Sequence, residues 1–265
     1  EVHLVIHRPD TGETFERTIV RKVIHLDSVR DVRMLEGEIG YIRLVQFGER
    51  TVDEFNAGLE KLRAEGMQSL ILDLRDNPGG LLAVATRVLE PFFDRGELML
   101  YTQGRDPKSR EDIRANGRGE RLRLPIAVLI NGGSASAAEI VAGALREYHR
   151  AVLVGERSFG KGSVQTVFPL GRDRAVRLTT ALYYLPSGTV IHGEGIEPDI
   201  RVTLTAEEDR KLFIQRNRLP LMTPEDFRER FGFAPIEDRQ LTAAIDALRG
   251  LRVLSRILSA GGGEG

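Results

Sequence analysis

The 265 residues include 39 acidic and 38 basic side chains, which gives a formal net charge of −1, and 41% are hydrophobic. This near-neutral balance gives no electrostatic reason to expect nucleic acid as a partner. The lack of cysteine excludes a thiol nucleophile, a disulfide framework and a Cys-ligated metal site. No run approaches the roughly 20 apolar residues of a membrane helix. Because the sequence begins at Glu1 without Met, we expect a piece of a longer precursor.

The first residues predict a β-hairpin, because residues 2–6 and 14–20 alternate polar and apolar side chains around a turn at 8–12. Two strands alone are only marginally stable in water. We therefore expect this hairpin to complete a small β domain, and we expect residues 21–33 to be a linker.

Strands and helices then alternate through residues 39–155, which is typical of an α/β fold with ligands at the carboxyl ends of its strands. Thr51, with Glu54 three residues later, predicts a capping box at the first helix. The polar stretch at residues 105–121 is predicted to be a flexible surface loop. The predicted strands are residues 39–44, 69–74, 97–101, 126–130, 151–155, 163–169 and 175–185, and the predicted helices are residues 51–65, 81–93 and one from about 137.

Residues 205–259 are charged and predicted to be helical, with breaks at Pro220 and near Pro235, and the tail at 261–265 is expected to be disordered. The helices at residues 226–258 are expected either to pack on a partner subunit or to support the core.

The stretch with the clearest chemistry is the junction between the apolar strand at 126–130 and the next helix. An Asn-Gly-Gly turn at 131–133 breaks the strand, and Ser134 and Ser136 follow it. Unpaired N–H groups at a helix start stabilise a nearby oxyanion, so a serine there is well placed to be a nucleophile. The alternative is that both serines only cap the helix.

A second candidate loop carries Lys161 between two glycines. It nearly matches the phosphate-binding pattern G-x-x-x-x-G-K-[ST], which would indicate a nucleotide-binding protein. However, Gly162 stands where the magnesium-binding hydroxyl is needed, and the residues that follow are β-like rather than helical.

Lys161 offers a general base for a serine, provided that its amine is uncharged. We expect burial in an apolar pocket to lower its pKa from about 10.4. Gln165 can orient the amine without adding a charge. Ser136, Lys161 and Gln165 are therefore a coherent Ser/Lys dyad with an orienting third member. The alternative for Lys161 is a solvated loop lysine.

Histidine chemistry has little support in the sequence. No two of the five histidines share a predicted helix at the i, i+4 spacing of a zinc motif, so neither a metal nor another cofactor is predicted. The presence of five histidines leaves a Ser-His-Asp triad as an alternative, although none of them stands in a sequence context that indicates a catalytic role.

Two stretches resemble the signatures of the carboxy-terminal processing (tail-specific) serine peptidases: Ser-Ala-Ser-Ala-Ala-Glu-Ile at 134–140 and Phe-Gly-Lys-Gly-Ser-Val-Gln at 159–165. The separation of Ser136 from Lys161, 25 positions, matches that of the family's nucleophile and base. Two further matches, at residues 73–80 and at 184–188 with 195–199, occur in the right order. The resemblance covers about residues 39–202.

This resemblance implies a crotonase-like α/β protease core. Ser136 would attack the scissile carbonyl, Lys161 would accept its proton, and Gln165 would position Lys161. The backbone N–H groups of Gly80 and Ala137 would form the oxyanion hole. The implied domains are a PDZ-like hairpin at residues 1–24, the peptidase core at 25–205 and a helical extension at 206–265.

The implied function is that of a cofactor-free serine endopeptidase that trims or degrades proteins from their C-termini and favours unstructured chains with apolar ends. Resemblance also implies a cell-envelope (periplasmic) location, protein substrates and a possible homo-oligomer through the terminal helices. A non-catalytic binding protein on the same fold is the alternative from another class, and an NTPase is a more distant one.

Overall fold

The computed structural model describes residues 1–22, 27–117 and 121–261. Parts of the predicted linker at 21–33, of the predicted loop at 105–121 and of the predicted tail at 261–265 lie outside these residues. The mixed α/β class predicted from the sequence is confirmed. In chain order the elements are β1 (Val2–Arg8), β2 (Glu13–Ile19), β3 (Val29–Leu35), β4 (Ile39–Leu44), α1 (Thr51–Ala64), β5 (Ser69–Asp73), α2 (Leu82–Leu89), β6 (Leu98–Gln103), β7 (Glu111–Arg114), β8 (Ile126–Ile130), α3 (Ala137–Glu147), β9 (Ala151–Gly155), β10 (Ser163–Pro169), β11 (Ala175–Tyr184), β12 (Ile200–Arg201), α4 (Ala206–Arg218), α5 (Pro224–Phe231) and α6 (Arg239–Gly261).

A six-stranded sheet organises the described residues, with its strands in the order β12-β9-β8-β5-β4-β3. All neighbouring pairs are parallel except β3 with β4. The central strands are continuous apolar runs, as expected for parallel strands that are covered on both faces. The carboxyl ends of β4, β5, β8 and β9 meet at one edge, and the loops that follow these strands carry the candidate site.

Helices cover both faces of this sheet. One core contains buried residues of α1, α2 and α3, and the other contains Tyr41 and Ile71 of the sheet with Ala244 and Leu248 of α6. The first half of α6 therefore supports the core, which was one of the two roles expected for the terminal helices. Its later turns expose large apolar side chains at Leu251, Val253, Leu254 and Ile257.

A separate antiparallel sheet has the order β10-β11-β6-β7. Its strand β10 lies at the sheet edge and contains a register shift between Val164 and Gln165. Much of the β10–β11 hairpin is exposed, including Val167, Phe168 and Leu178. The predicted hairpin at the start of the chain is confirmed as β1 paired antiparallel with β2.

Three local predictions were wrong. The second half of the predicted linker is strand β3, and part of the predicted loop at 105–121 is strand β7; both are charged edge strands held by a neighbouring strand. The predicted capping box at α1 does not form, because Thr51 lies inside the helix and makes no capping bond. Glu54 instead accepts hydrogen bonds from the N–H groups of Ser28 and Val29.

Within the described ranges, none of the helices combines the length and the apolar character needed to cross a bilayer.

Candidate active site

Two serines lie in the turn that connects β8 to α3, and their environments differ. Ser134 is fully buried; its Oγ donates to the carbonyl of Leu74 (2.8 Å) and accepts from the N–H of Asn131 (3.0 Å). Ser136 is half-buried and directly precedes the first residue of α3. The Ser134 hydroxyl is thus committed to holding the turn, whereas solvent reaches Ser136.

The backbone of Ser136 is strained. Its φ of 55° and ψ of −114° lie outside the regions that L residues favour, at a cost of about 1–2 kcal/mol. Neighbouring contacts hold this conformation, among them a hydrogen bond from the N–H of Ala135 to the carbonyl of Asn77 (2.9 Å). A serine on a sharp strand-to-helix turn is the arrangement that serine hydrolases use to expose their nucleophile.

Glu139 joins the turn of Ser136 to the loop of Lys161. Its carboxylate is fully buried. Oε2 accepts hydrogen bonds from the N–H groups of Ser136 and Lys161, both at 2.8 Å. Oε1 accepts from the N–H of Gly160 and the hydroxyl of Ser158, both at 2.6 Å. One carboxylate therefore fixes the main chains of both dyad candidates against each other.

The sequence interpretation missed Glu139, although a signal was present. Glutamate three residues after a serine is the spacing of a capping box, in which the carboxylate returns to the N-cap N–H. The structure contains that bond at Ser136. What the spacing does not reveal is that the same carboxylate also reaches Gly160 and Lys161.

The side chains of Lys161 and Gln165 are exposed. Among the described residues, no hydrogen bond joins the Lys161 amine to Ser136 or to Gln165, and Gln165 lies on the edge strand β10. The expectation of a buried lysine amine is therefore wrong for this structure. The physical reason is that β10 and the loop before it form an uncovered surface.

Gly79 and Gly80 bring a second loop to Ser136. We call residues 75–80 the oxyanion loop. A Cβ at Gly79 would lie 2.8 Å from both the Cβ of Ser136 and the N of Ala137, and a Cβ at Gly80 would lie 2.2 Å from the carbonyl oxygen of Phe47. Both glycines also have positive φ, 92° and 153°. Only glycine allows this close approach.

The backbone of the oxyanion loop is held so that one N–H group stays free. Phe47 donates to the carbonyl of Gly79 (3.0 Å), and Leu81 donates to the carbonyl of Phe47 (2.8 Å). In the described part of the chain, the N–H groups of Gly80 and Ala137 have no acceptor. The structure thus packs the oxyanion loop, which carries Gly80, against Ser136 and the first residue of α3, Ala137.

A buried ion pair anchors the oxyanion loop at the end of β5. Arg75 Nη2 lies 2.6 Å from Asp73 Oδ2, and the hydroxyl of Tyr41 donates to the same oxygen at 2.7 Å. Burial alone would raise the pKa of Asp73, but the charge and hydrogen bonds of Arg75 outweigh it and hold that pKa well below its usual range. Burial, together with the negative charge of Asp73, raises the pKa of the Tyr41 phenol.

The alternative chemistries gain no support from the geometry. The residues after Gly162 form a strand, whereas a phosphate-binding loop must open a helix. Within the described ranges, no group of three or more His, Asp or Glu side chains is arranged to hold a metal ion. The main chain of His192 packs on Gly162, and the His192 side chain is exposed.

A cleft of about 870 Å³ lies away from this site. It opens beside Ile126 and Ala151, at the opposite ends of the parallel strands from Ser136. The cleft and the candidate active site are therefore separate features.

A serine on a strained strand–helix turn, with a glycine loop packed against it, is an arrangement typical of serine hydrolases. Comparison with known proteins is more specific: the model of Peptidase family S41 matches residues 38–202. The chain belongs to this family.

The relatives carry consistent names. The chain is 46% identical to a carboxy-terminal-processing protease of Bartonella bacilliformis over 79% of its own length and 49% of that protein. It is 39% identical to a carboxyl-terminal-processing protease of Synechocystis over 75% of its length and 47% of the relative. The solved photosystem II D1 C-terminal processing protease superposes with a TM-score of 0.61 at 31% identity, over 76% of this chain and 55% of that one. The chain thus spans about half the length of the curated relatives it matches.

Proposed function

We propose that this chain is the catalytic core of a serine endopeptidase in which Ser136 is the nucleophile and Lys161 is the general base. The observation that carries the proposal is the shared carboxylate of Glu139, because it holds the main chains of these two residues 2.8 Å from a single oxygen atom. A Ser/Lys dyad requires its serine and its lysine to be held at a fixed spacing, whereas a turn that serves only the fold does not.

In the proposed reaction, Ser136 Oγ attacks the scissile carbonyl carbon while Lys161 takes the hydroxyl proton. The carbonyl oxygen becomes an oxyanion, which accepts hydrogen bonds from the N–H groups of Gly80 and Ala137; each such donor contributes about 3–4 kcal/mol in the transition state. Lys161 then protonates the leaving amine as the C–N bond breaks. In the second half of the reaction, water attacks the acyl-enzyme while Lys161 takes a proton from it. Lys161 then returns a proton to the Ser136 oxygen as the acyl group leaves.

The base must be neutral to act, and we propose that bound substrate supplies the necessary desolvation. The Lys161 side chain is exposed. Apolar side chains are also exposed two residues before it at Phe159 (67%) and further along β10 at Val167 (54%). An apolar polypeptide lying on this surface would exclude water from the amine. Gln165, four residues from Lys161 on the same surface, would then orient the amine.

We propose that the substrates are proteins with accessible, unstructured C-termini that end in apolar residues. Support comes from the names of the relatives, which act in carboxy-terminal processing. Residues 1–24, which include the β1–β2 hairpin, are proposed to be the end of a PDZ domain, a module that captures chain ends by strand addition. Residues 25–205 would then be the peptidase core and residues 206–265 its helical extension.

The whole protein is further proposed to act in the cell envelope, on family resemblance alone, and to form a homo-oligomer through its terminal helices. The apolar side chains exposed late in α6 support the second point, since exposed apolar patches mark interaction surfaces. Cell fractionation and light scattering of the full-length protein test these two points.

The experiment that tests the proposed function is cleavage of an unfolded protein with an apolar C-terminus by the full-length protein. Ser136→Ala and Lys161→Ala should each abolish cleavage. Ser134→Ala is the matched control; it removes a buried hydroxyl from the same turn and should lower thermal stability while cleavage persists at moderate temperature. Cleavage that survives Ser136→Ala would refute the dyad, and an intact protein that binds the substrate without cutting it would indicate a binding protein.

A further inference from the structure

The helical extension reaches the oxyanion loop through two buried arginine–aspartate pairs. We infer that the extension is a positioning element of the active site, in which Arg216 of α4 and Asp238, just before α6, hold the oxyanion loop so that Gly80 presents its N–H group. This role rests on the proposed function, because positioning matters only where the Gly80 N–H stabilises an oxyanion.

The first pair joins Arg216 to Asp76. Arg216 Nη2 lies 2.8 Å from Asp76 Oδ2, and the two side chains are only 7% and 19% exposed. Among the described residues, Nε and Nη1 of Arg216 have no hydrogen-bond acceptor. Because a buried guanidinium is costly to desolvate, its single bond to Asp76 is the polar interaction that offsets the burial. The main chain of α4 is fixed in turn, since Arg43 donates to the Arg216 carbonyl at 2.8 Å.

Asp76 connects this contact to the turn that precedes Ser136. Its φ of 60° is unusual for a residue with a side chain. Its N–H donates to Asn131 Oδ1, and Asn131 Nδ2 donates back to Asp76 Oδ1, both at 2.9 Å. One carboxylate oxygen therefore faces Arg216, and the other faces the turn that leads to Ser136.

The second pair holds the neighbouring residue. Arg75 is fully buried, and its Nη1 lies 2.9 Å from Asp238 Oδ1 and 3.1 Å from Gln240 Oε1. Gln240 also donates to the carbonyl of Val202 (3.0 Å), so this end of the extension is tied to the peptidase core. Two consecutive residues at the start of the oxyanion loop are thus held by two separate segments of the extension.

The catalytic consequence follows from the geometry that an oxyanion donor requires. The donor must lie about 2.7–3.1 Å from the oxyanion, and the loss of one donor lowers kcat about 10²- to 10³-fold. A loop released from Arg216 keeps Gly80 but no longer fixes its N–H. Because that N–H acts in the transition state, kcat should fall while KM changes little.

The test compares three variants of the full-length protein in cleavage of an unfolded polypeptide. Arg216→Met should lower kcat about 10- to 100-fold, somewhat less than the loss of a donor. Arg216→Lys should restore kcat to within about threefold, since an ammonium can make the one bond that Arg216 makes. Arg239→Met is the control; Arg239 pairs with Glu208 inside the extension, and its loss should change kcat less than about twofold.

Hydrogen exchange of residues 75–81 gives a second readout that does not depend on cleavage. Arg216→Met should accelerate exchange in this segment, and Arg239→Met should not. Asp76→Asn removes the ion pair from the other side while keeping a residue that tolerates positive φ. The kcat of the double variant, Arg216→Met with Asp76→Asn, should be no lower than that of the more impaired single variant, because both residues act through one contact.

Unchanged kcat and unchanged loop exchange in Arg216→Met and Asp76→Asn would overturn the inference. A rise in KM with kcat intact would also overturn it, since that result places Arg216 in substrate binding. If the unmutated protein cleaves nothing, the proposed function fails. The exchange comparison then still decides whether the extension holds the loop.

Discussion

Glu139→Gln is the substitution that most directly examines the link between the two catalytic loops. The change removes the charge, keeps the size of the side chain and replaces one carboxylate oxygen by an NH₂ group. Since each Glu139 oxygen accepts two hydrogen bonds, the amide can satisfy the donors on one side only. On the other side the NH₂ group of the glutamine faces N–H or O–H groups, so that donors face donors without an acceptor.

The magnitude follows from the bonds that are lost. Two hydrogen bonds to a buried charged acceptor are worth about 1.5–3 kcal/mol each, so the free energy of unfolding should fall by about 3–6 kcal/mol. If the amide turns its NH₂ toward the main chains of Ser136 and Lys161, the spacing of the dyad is also released. A displacement of about 1 Å at reacting groups can cost on the order of 10²-fold in kcat.

Urea unfolding and steady-state cleavage by the same preparations measure both effects. Glu147→Gln serves as the control, because Glu147 lies in the same helix and accepts hydrogen bonds from the N–H and the hydroxyl of Ser187 at an exposed position; its unfolding free energy should change by about 1 kcal/mol or less. A Glu139→Gln protein within about 1 kcal/mol of the parent and equally active would refute the reasoning. It would mean that Glu139 does not couple the loops.

Three further substitutions have expected outcomes. Gly79→Ala should abolish cleavage, because its Cβ would lie 2.8 Å from the main chain at the start of α3; Gly66→Ala, at a similar φ in open space, should cost only about 1 kcal/mol of stability and leave kcat intact. Asp73→Asn should cost about 3–5 kcal/mol at neutral pH by breaking a buried pair. The pKa of Asp73 is lower in the folded state than in the unfolded state, where it is about 3.9. The ionised side chain therefore contributes its full share to the free energy of unfolding above that pH, and this share is lost as the pH falls below it. Urea unfolding should thus show the difference between parent and variant shrinking below about pH 4, and a constant difference down to pH 3 would contradict this assignment. Leu248→Ala should lower the unfolding free energy by about 2–5 kcal/mol because Leu248 is fully buried against the sheet, whereas Leu251→Ala, 43% exposed, should change it by less than about 1 kcal/mol; equal effects would mean that α6 does not belong to the core.

The elements that frame the site were predictable because their signals are local. Strand β8, the turn after it and α3 appear in the sequence as an apolar run, an Asn-Gly-Gly break and a helical pattern, and β9 is confirmed with the same bounds. Strands β3 and β7, which the sequence reading did not predict, are rich in charged residues and are held by pairing with β4 and β6. Their stability depends on a neighbouring strand, which a local pattern does not contain.

The residue types of the candidate site were predictable from the sequence, but the residues that hold its loops in place were not. Ser136, Gly80 and Lys161 stand in recognisable motifs. The structure joins the loops of Ser136 and Lys161 through Glu139 and packs Gly79 against Ser136. The role of Arg216 had no local signal, since its partner Asp76 lies 140 positions away. Exposure of the Lys161 amine could not be predicted either, because it depends on what covers β10 rather than on the residues that flank the lysine.

The dyad candidates belong to different sheets: Ser136 follows a strand of the six-stranded sheet, and Lys161 precedes β10 of the four-stranded one. The first sheet is enclosed by helices, whereas the β10–β11 hairpin buries few side chains. Regions with little buried surface open in local fluctuations well below the free energy of global unfolding. Thermal inactivation of the proposed catalytic core should therefore precede its melting, because the weaker sheet carries the proposed base and would set the temperature limit of cleavage.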